Sequence, residues 1–325
     1  MRPHATVAAA AHGVYTIRPM SSPLRQEFRR YASVIEAALA KAATAPFAVA
    51  ETDLAVQVER GAVYASALTG PPDVRIDTQR VERLRRAAAG GVPAEVAVVD
   101  AAGHHRPVYR PLMVYGWLQA FKLWYELLPR SEFGRWEVAL RGWCDLLEAE
   151  LGAARISDGG TPASRGDVAT EAAWTALALF AAGRLLVRDA WTDLASDTLG
   201  RLTRGQTAEG TFLVPGPADN PETGWYHELV LLHAAAAYAV QAEDRAVAAA
   251  VARATEHHLR ETQPDHATAQ PWSLFAFIWN ERTRPLADQL LHTMSVNRPA
   301  GPDGVSLILL ADALYCLRLF ERPGP

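Results

Sequence analysis

Two kinds of helical segment alternate along the chain after Pro111. The first kind is apolar on nearly every face, and it covers residues 112–128, 169–187, 225–240, 272–279 and 305–320. The second kind has one polar face, and it covers residues 133–151, 190–202, 245–259 and 285–294. A helix that is apolar all round must be buried on every side, and an amphipathic helix can cover it from outside. The pattern therefore predicts inner and outer helices that follow one another as hairpins.

Tryptophans support this repeat. Trp117, Trp174, Trp225 and Trp272 each fall in the first turns of a predicted inner helix, at spacings of 57, 51 and 47 residues. Two-helix repeats have periods of about 40 to 47 residues. The spacing indicates that one helical pair is used several times in succession.

The connections between these helices are unequal in length. Those that lead out of inner helices are short, whereas those that lead into them are long and polar: residues 156–167, 205–224, 260–271 and 295–304. In antiparallel hairpins all the long connections lie at one end of the bundle. Loops that gather at one end of a rigid scaffold are where functional sites are usually built.

The first hundred residues show a mixture of helical and strand-like patterns. Residues 24–43 have helical spacing, residues 60–68 and Glu95–Val99 are strand-like, and Thr78 is positioned to cap a short helix through residue 88. The turn at residues 100–103 predicts a hairpin that returns through His105–Tyr109. No repeat is visible here. We expect residues 1–105 to be an N-terminal extension packed on a main body formed by residues 106–325.

A family resemblance follows from the paired helices and from one turn. Gln206, Glu209, Gly210 and Phe212 match the pattern Q-x-x-(D/E)-G-x-aromatic, which (α/α) toroids often carry between hairpins. From Pro111 onward the chain resembles this class, which includes polysaccharide lyases, glycoside hydrolases, epimerases and the terpenoid cyclase–prenyltransferase group. The resemblance implies an all-α, toroid-like ring of helical hairpins. It does not imply one activity, because many activities share the fold.

Candidate chemistry gathers where the long connections meet inner helices. Polar side chains at the start of a buried helix need partners, water or a ligand, and carbohydrate sites use such groups as acid and base with aromatic rings as platforms. The acid–base candidates are Tyr226, His227, Glu228, Asp265 and His266. The candidates for substrate binding are Trp225, Trp272, Gln270, Glu222, His105, Tyr109 and Arg165.

Several of these residue types also have structural explanations. Glu222 and Asp265 suit helix capping, and His233, seven residues after Tyr226 on the same helix face, suits a buried core position. His257 and Glu261 are four residues apart, but they fall on an amphipathic outer helix, which favours a solvated face over a metal site. No zinc-type Cys/His spacing occurs. The sequence predicts neither a metal nor a cofactor.

Three functional hypotheses follow. The first is a lyase or hydrolase that acts on a carbohydrate or another polar small substrate. The second is a terpenoid cyclase- or transferase-like enzyme on an apolar substrate, although the motifs D-x-D-D and D-D-x-x-D are absent. The third is a non-catalytic binding or scaffold protein. P-loop, G-x-G-x-x-G and G-x-S-x-G motifs are also missing.

Composition limits the classes of partner and the cellular compartment that we expect. The 325-residue chain is 50% hydrophobic and 21% charged with a formal net charge of -4, and it has no basic run to attract nucleic acid. Cys144 and Cys316 fall in apolar helices, which predicts two buried free thiols and a reducing, cytoplasmic setting. No signal peptide or membrane-spanning run is recognised, so we expect a small-molecule or oligosaccharide partner and neither nucleic acid nor membrane.

Overall fold

The computed structural model describes residues 21–44, 95–99, 105–124, 130–157, 166–213, 221–262, 271–296 and 304–320. The strand predicted at residues 60–68 and the short helix predicted from Thr78 lie outside these ranges. So do Arg165, Asp265, His266 and Gln270.

The described residues form a two-stranded hairpin and a series of helices. The elements are α1 (Ser22–Thr44), β1 (Glu95–Val99), β2 (His105–Tyr109), α2 (Arg110–Trp124), α3 (Arg130–Ser157), α4 (Gly166–Leu186), α5 (Asp189–Arg204), α6 (Pro221–Ala242), α7 (Arg245–His257), α8 (Leu274–Trp279), α9 (Arg284–Val296) and α10 (Gly304–Leu319). A π-helical turn, His258–Thr262, continues α7, and a 3₁₀ turn, Glu281–Thr283, precedes α9. The predominantly helical character predicted from the pattern is confirmed.

The hairpin predicted for Glu95–Val99 and His105–Tyr109 is present, and the structure supplies its register. β1 and β2 pair antiparallel, with Glu95 opposite Tyr109 and Val99 opposite His105. Helix α8, in contrast, begins two residues later than predicted. Ser273 has a left-handed φ of 57° and donates its hydroxyl hydrogen to the carbonyl of Leu229, so the chain turns before α8 starts.

The inner helices contact one another in chain order. α2 packs on α4, α4 on α6, α6 on α8, and α8 on α10; α10 also contacts α2. Specific contacts fix these pairs. The Trp174 indole N–H of α4 donates to the Val230 carbonyl of α6 at 3.1 Å, and a Cβ added at Gly116 of α2 would lie 3.3 Å from Ile308 of α10.

The amphipathic helices cover this core as predicted, with α3 and α5 against α4, α7 against α6, and α9 against α8. The two helices of the α4–α5 hairpin approach each other closely at Gly183. A Cβ added at Gly183 would lie 2.8 Å from Thr192 Cγ2 and 2.9 Å from the Arg188 carbonyl oxygen. Only hydrogen at that position lets the two helices approach so closely.

Helix α1 lies beside the last helix of the chain. Phe28 meets Phe320 edge to face with 5.1 Å between ring centroids, and Arg318 of α10 bonds Glu36 at 3.0 Å. α1 therefore occupies an outer position on α10, comparable to that of α7 on α6. The domain boundary near residue 105 stays a prediction.

None of the helices in the described part of the chain is both long and apolar enough to cross a membrane. Cys144 and Cys316 are buried free cysteines, as predicted.

Candidate functional site

The start of α6 brings several of the predicted site residues together. Tyr226 is 3% exposed and packs edge to face on Trp272 with 4.8 Å between ring centroids. The His227 imidazole lies 5.4 Å from the Tyr226 ring and is partly exposed. Trp272 itself is 1% exposed, so its indole belongs to the core and presents no open face for stacking.

Glu228 has a positioning role in this arrangement. Its side chain is 1% exposed, and its two carboxylate oxygens accept the backbone N–H groups of Phe212 at 3.0 Å and Leu213 at 2.9 Å. His258 Nε2 lies 3.7 Å from Glu228 Oε1. The carboxylate thus holds the loop after α5 against α6, and it faces away from solvent.

The turn that carries the Q-x-x-(D/E)-G-x-aromatic pattern is fixed against α7. The Gln206 amide donates to the Gly210 and Ala250 carbonyls, the latter at 2.8 Å, while Arg253 Nε donates to Gln206 Oε1 at 2.9 Å. Gly210 has φ 101°, and a Cβ there would lie 3.1 Å from the Arg253 carbonyl oxygen. The glutamine and glycine of the pattern are therefore structural, and they leave Glu209 exposed at the surface.

A cleft of about 600 Å³ opens where this turn, the start of α6 and the end of α7 meet. It is lined by Glu209, Trp225, His257, Arg260 and Glu261. Trp225 and His257 are half-buried, and the three charged side chains are exposed. Because α6 and α7 are antiparallel, the end of α7 lies beside the start of α6. The cleft is thus at the end of the bundle where the long connections were predicted to gather.

The local environment lowers the pKa of His257. Partial burial is the main cause and the neighbouring His258 adds to it, whereas a hydrogen bond with the Glu209 backbone and the charge of Glu261 act in the opposite direction. The Trp225 ring lies 6.0 Å from the His257 ring and 5.1 Å from that of His258. A lowered pKa keeps the His257 imidazole neutral near pH 7, which is the form that accepts a proton.

The remaining predicted site residues are only partly described. Glu222 lies in the first turn of α6, and His105 and Tyr109 lie at the two ends of β2. The sequence places Asp265 and His266 in the connection that leads into the next inner helix after α6, and their meeting with Tyr226 and His227 in one cavity stays a prediction.

The cleft residues on α7 were not selected from the sequence. The sequence pattern predicts a solvated helix face for His257 and Glu261, and it assigns no site role to Arg260 or Glu209. The signal that identifies them is topological: the last turn of an outer helix must lie beside the first turn of the inner helix before it. Among the described residues, no group of three or more His, Cys, Asp or Glu side chains is arranged to hold a metal ion.

A second cluster of polar side chains lies between the inner helices. Tyr115 donates its hydroxyl hydrogen to Asp312 Oδ1 at 2.5 Å and accepts from Gln119 at 2.7 Å and Gln241 at 2.9 Å. Asp312 Oδ2 lies 3.1 Å from His233 Nε2. All five side chains are buried. We call this set, which joins α2, α6 and α10, the central polar cluster.

Burial controls protonation in this cluster. It raises the pKa of Tyr115 well above its usual value, and the Asp312 charge adds to the effect. The same two causes, in the same order, raise the pKa of the Cys316 thiol, whose Sγ lies 3.8 Å from Asp312 Oδ2. The His233 ring stacks on Trp174 with 5.8 Å between centroids. Its predicted core position is confirmed.

No protein-family model, curated protein or solved structure matches this chain. The functional interpretation therefore rests on the geometry of the described residues.

Proposed function

We propose that the protein is an enzyme that acts on a carbohydrate or another polar small substrate by acid–base chemistry, as a lyase or hydrolase. The observation that carries this proposal is the open cleft at the end of α7, where an indole ring, a neutral imidazole, carboxylates and a guanidinium line one space. Sugar sites combine aromatic platforms with such acid and base groups.

We also infer that the helices form an (α/α) toroid-like ring. In support, each inner helix contacts the next, α10 contacts α2, and α1 covers α10 as the other outer helices cover their partners. In such a ring the cleft would lie on the rim that the long connections form. That location suits a site built from loops and helix ends.

Each cleft residue has a role in the proposed reaction. The Trp225 ring stacks on a sugar face, and His257 accepts the proton that is removed from the substrate or from an attacking water. The protonated His257 then gives that proton to the leaving-group oxygen, which restores the neutral imidazole. Glu261 and Glu209 accept hydrogen bonds from hydroxyl groups. Arg260 is held only loosely, 3.9 Å from Glu256, and can pair with developing negative charge.

The charges in the cleft favour some substrates over others. Glu209 and Glu261 together outweigh Arg260, while His257 is neutral at pH 7. A uronic acid carboxylate would meet net repulsion at this position, whereas a neutral or amine-bearing sugar would not. We therefore expect neutral or amino sugars to bind more tightly than uronates of the same length. This preference favours hydrolysis over elimination, because elimination removes a proton from the carbon beside a carboxyl group.

A binding and turnover assay with matched histidine variants tests the proposal. Neutral, amine-bearing and uronate oligosaccharides are each titrated while tryptophan fluorescence and product formation are measured. His257→Gln is expected to reduce turnover by roughly 10²–10⁴-fold, the usual contribution of a general base. His292→Gln, on the exposed face of α9, serves as the control and should keep full turnover.

Trp225→Ala should weaken binding of the same ligand and leave the melting temperature within a few degrees. The proposal fails if no oligosaccharide class binds, or if His257→Gln turns substrate over at the rate of the unchanged protein. Turnover of a prenyl diphosphate instead would support the cyclase or transferase alternative.

A non-catalytic binding protein is the second candidate. It is favoured by the middle of the helix array, where buried side chains of the central polar cluster bond one another. Saturable binding without product, unchanged in affinity by His257→Gln, would support this candidate.

A further inference from the structure

Two atoms of the central polar cluster have no hydrogen-bond partner among the described residues. They are Nδ1 of His233 and Oε1 of Gln119, and both are fully buried. At least about nine-tenths of buried polar groups in proteins are paired, and an unpaired one costs roughly 1–3 kcal/mol. Each of these atoms therefore calls for a partner.

The bonds that these side chains do make define the partner that is needed. A carboxylate only accepts hydrogen bonds, so His233 Nε2 carries the hydrogen that it shares with Asp312, and in that tautomer Nδ1 is an acceptor. Gln119 gives its amide hydrogen to the Tyr115 hydroxyl, which leaves Oε1 as an acceptor too. The occupant must donate hydrogen bonds to both atoms.

We propose that the central polar cluster is a binding site for ordered water, held by His233 Nδ1 and Gln119 Oε1. Water suits the site because it can donate a hydrogen bond to His233 Nδ1 and to Gln119 Oε1. An anion would be repelled by the Asp312 carboxylate and finds no donor at Gln119. Buried waters typically make about three hydrogen bonds to groups of this kind.

Water at this site would lie within a hydrogen-bond network that connects three inner helices. Both atoms belong to side chains that are bonded to the Tyr115–Asp312 pair, which connects α2 with α10. Water at these atoms then extends a network that joins the first and last inner helices to α6 through Gln241 and His233. The inference does not depend on the activity proposed for the cleft.

A crystal structure of the whole chain at about 1.5 Å resolution tests the proposal. The expected result is a solvent peak about 2.7–3.2 Å from His233 Nδ1 and another, or the same one, at that distance from Gln119 Oε1. In Gln119→Leu the peak beside position 119 should disappear, and a peak that contacts only His233 should remain. Gln289→Leu, on the exposed face of α9, is the matched control and should keep every peak.

The result from the unchanged protein is decisive even if Gln119→Leu fails to fold. Nitrogen-15 NMR of the same protein should show His233 with hydrogen on Nε2 and with Nδ1 hydrogen-bonded. Electron density without a solvent peak near either atom would overturn the proposal. A protein donor from outside the described residues in contact with them would overturn it equally.

Discussion

Replacing Glu228 separates a positioning role from a catalytic one. Its carboxylate accepts the Phe212 and Leu213 amides at 3.0 and 2.9 Å and is 1% exposed. A catalytic carboxylate can usually be removed with little loss of stability. A buried carboxylate that satisfies two backbone amides cannot, since its loss leaves both donors without a partner.

The expected magnitudes follow from these two bonds. Glu228→Ala leaves two buried amides unpaired at about 1–3 kcal/mol each, so we expect the free energy of unfolding to fall by about 4 kcal/mol. Glu228→Gln keeps one acceptor oxygen and sets an amide NH₂ against the second N–H, which should cost about 2 kcal/mol. Against a typical total of about 5–15 kcal/mol, either loss is easily measured.

Urea unfolding followed by circular dichroism at 222 nm measures these losses. Glu243→Gln, at an exposed position in the α6–α7 turn, is the matched control, and its stability should stay within about 0.5 kcal/mol of the unchanged protein. If Glu228→Ala loses less than about 1 kcal/mol, the loop amides have other partners and the positioning role is wrong. Loss of turnover at full stability would return Glu228 to the list of catalytic candidates.

Two further predictions concern packing and pH. Gly183→Ala should destabilise the protein by about 1–3 kcal/mol in thermal unfolding despite alanine's better helix propensity, because its Cβ would overlap α5. The control is Gly134→Ala, whose Cβ would meet nothing within 4 Å and which should be neutral or stabilising. A stabilised Gly183→Ala would refute the close approach of α4 and α5. The pKa of His257 is lowered in the folded protein, so below its ordinary pKa of about 6.5 the unfolded chain binds a proton more readily than the folded one. The contribution of His257 to the free energy of unfolding is therefore fully present above that pH, and it declines as the pH falls. Urea titrations at pH 7.5 and 5.0 should show a smaller decline for His257→Gln than for the unchanged protein, and equal declines would contradict the shift.

The sequence predicted local features well and the site only in part. The inner and outer helices could be predicted because a helix buried on all sides is apolar throughout, whereas a helix buried on one side has apolar residues at a helical period. The α6 start was found as a polar group before an apolar run, and Tyr226 and Trp272 do meet there. The cleft, however, uses His257 and Arg260 on an outer helix, where polarity alone indicates only solvent.

The sequence by itself determined which segments are helical, which of them are buried, and where the β1–β2 hairpin lies, because these depend on neighbours within a few residues along the chain. Only the tertiary structure decided which side chains of the inner helices meet. An inner helix that is apolar on nearly every face does not reveal which partner each face meets, so the meeting of Tyr115, His233 and Asp312 from three distant segments left no periodic signal. The same reason applies to α1. Its amphipathic pattern predicts that its apolar face is buried, but it does not predict that the C-terminal helix α10 buries it.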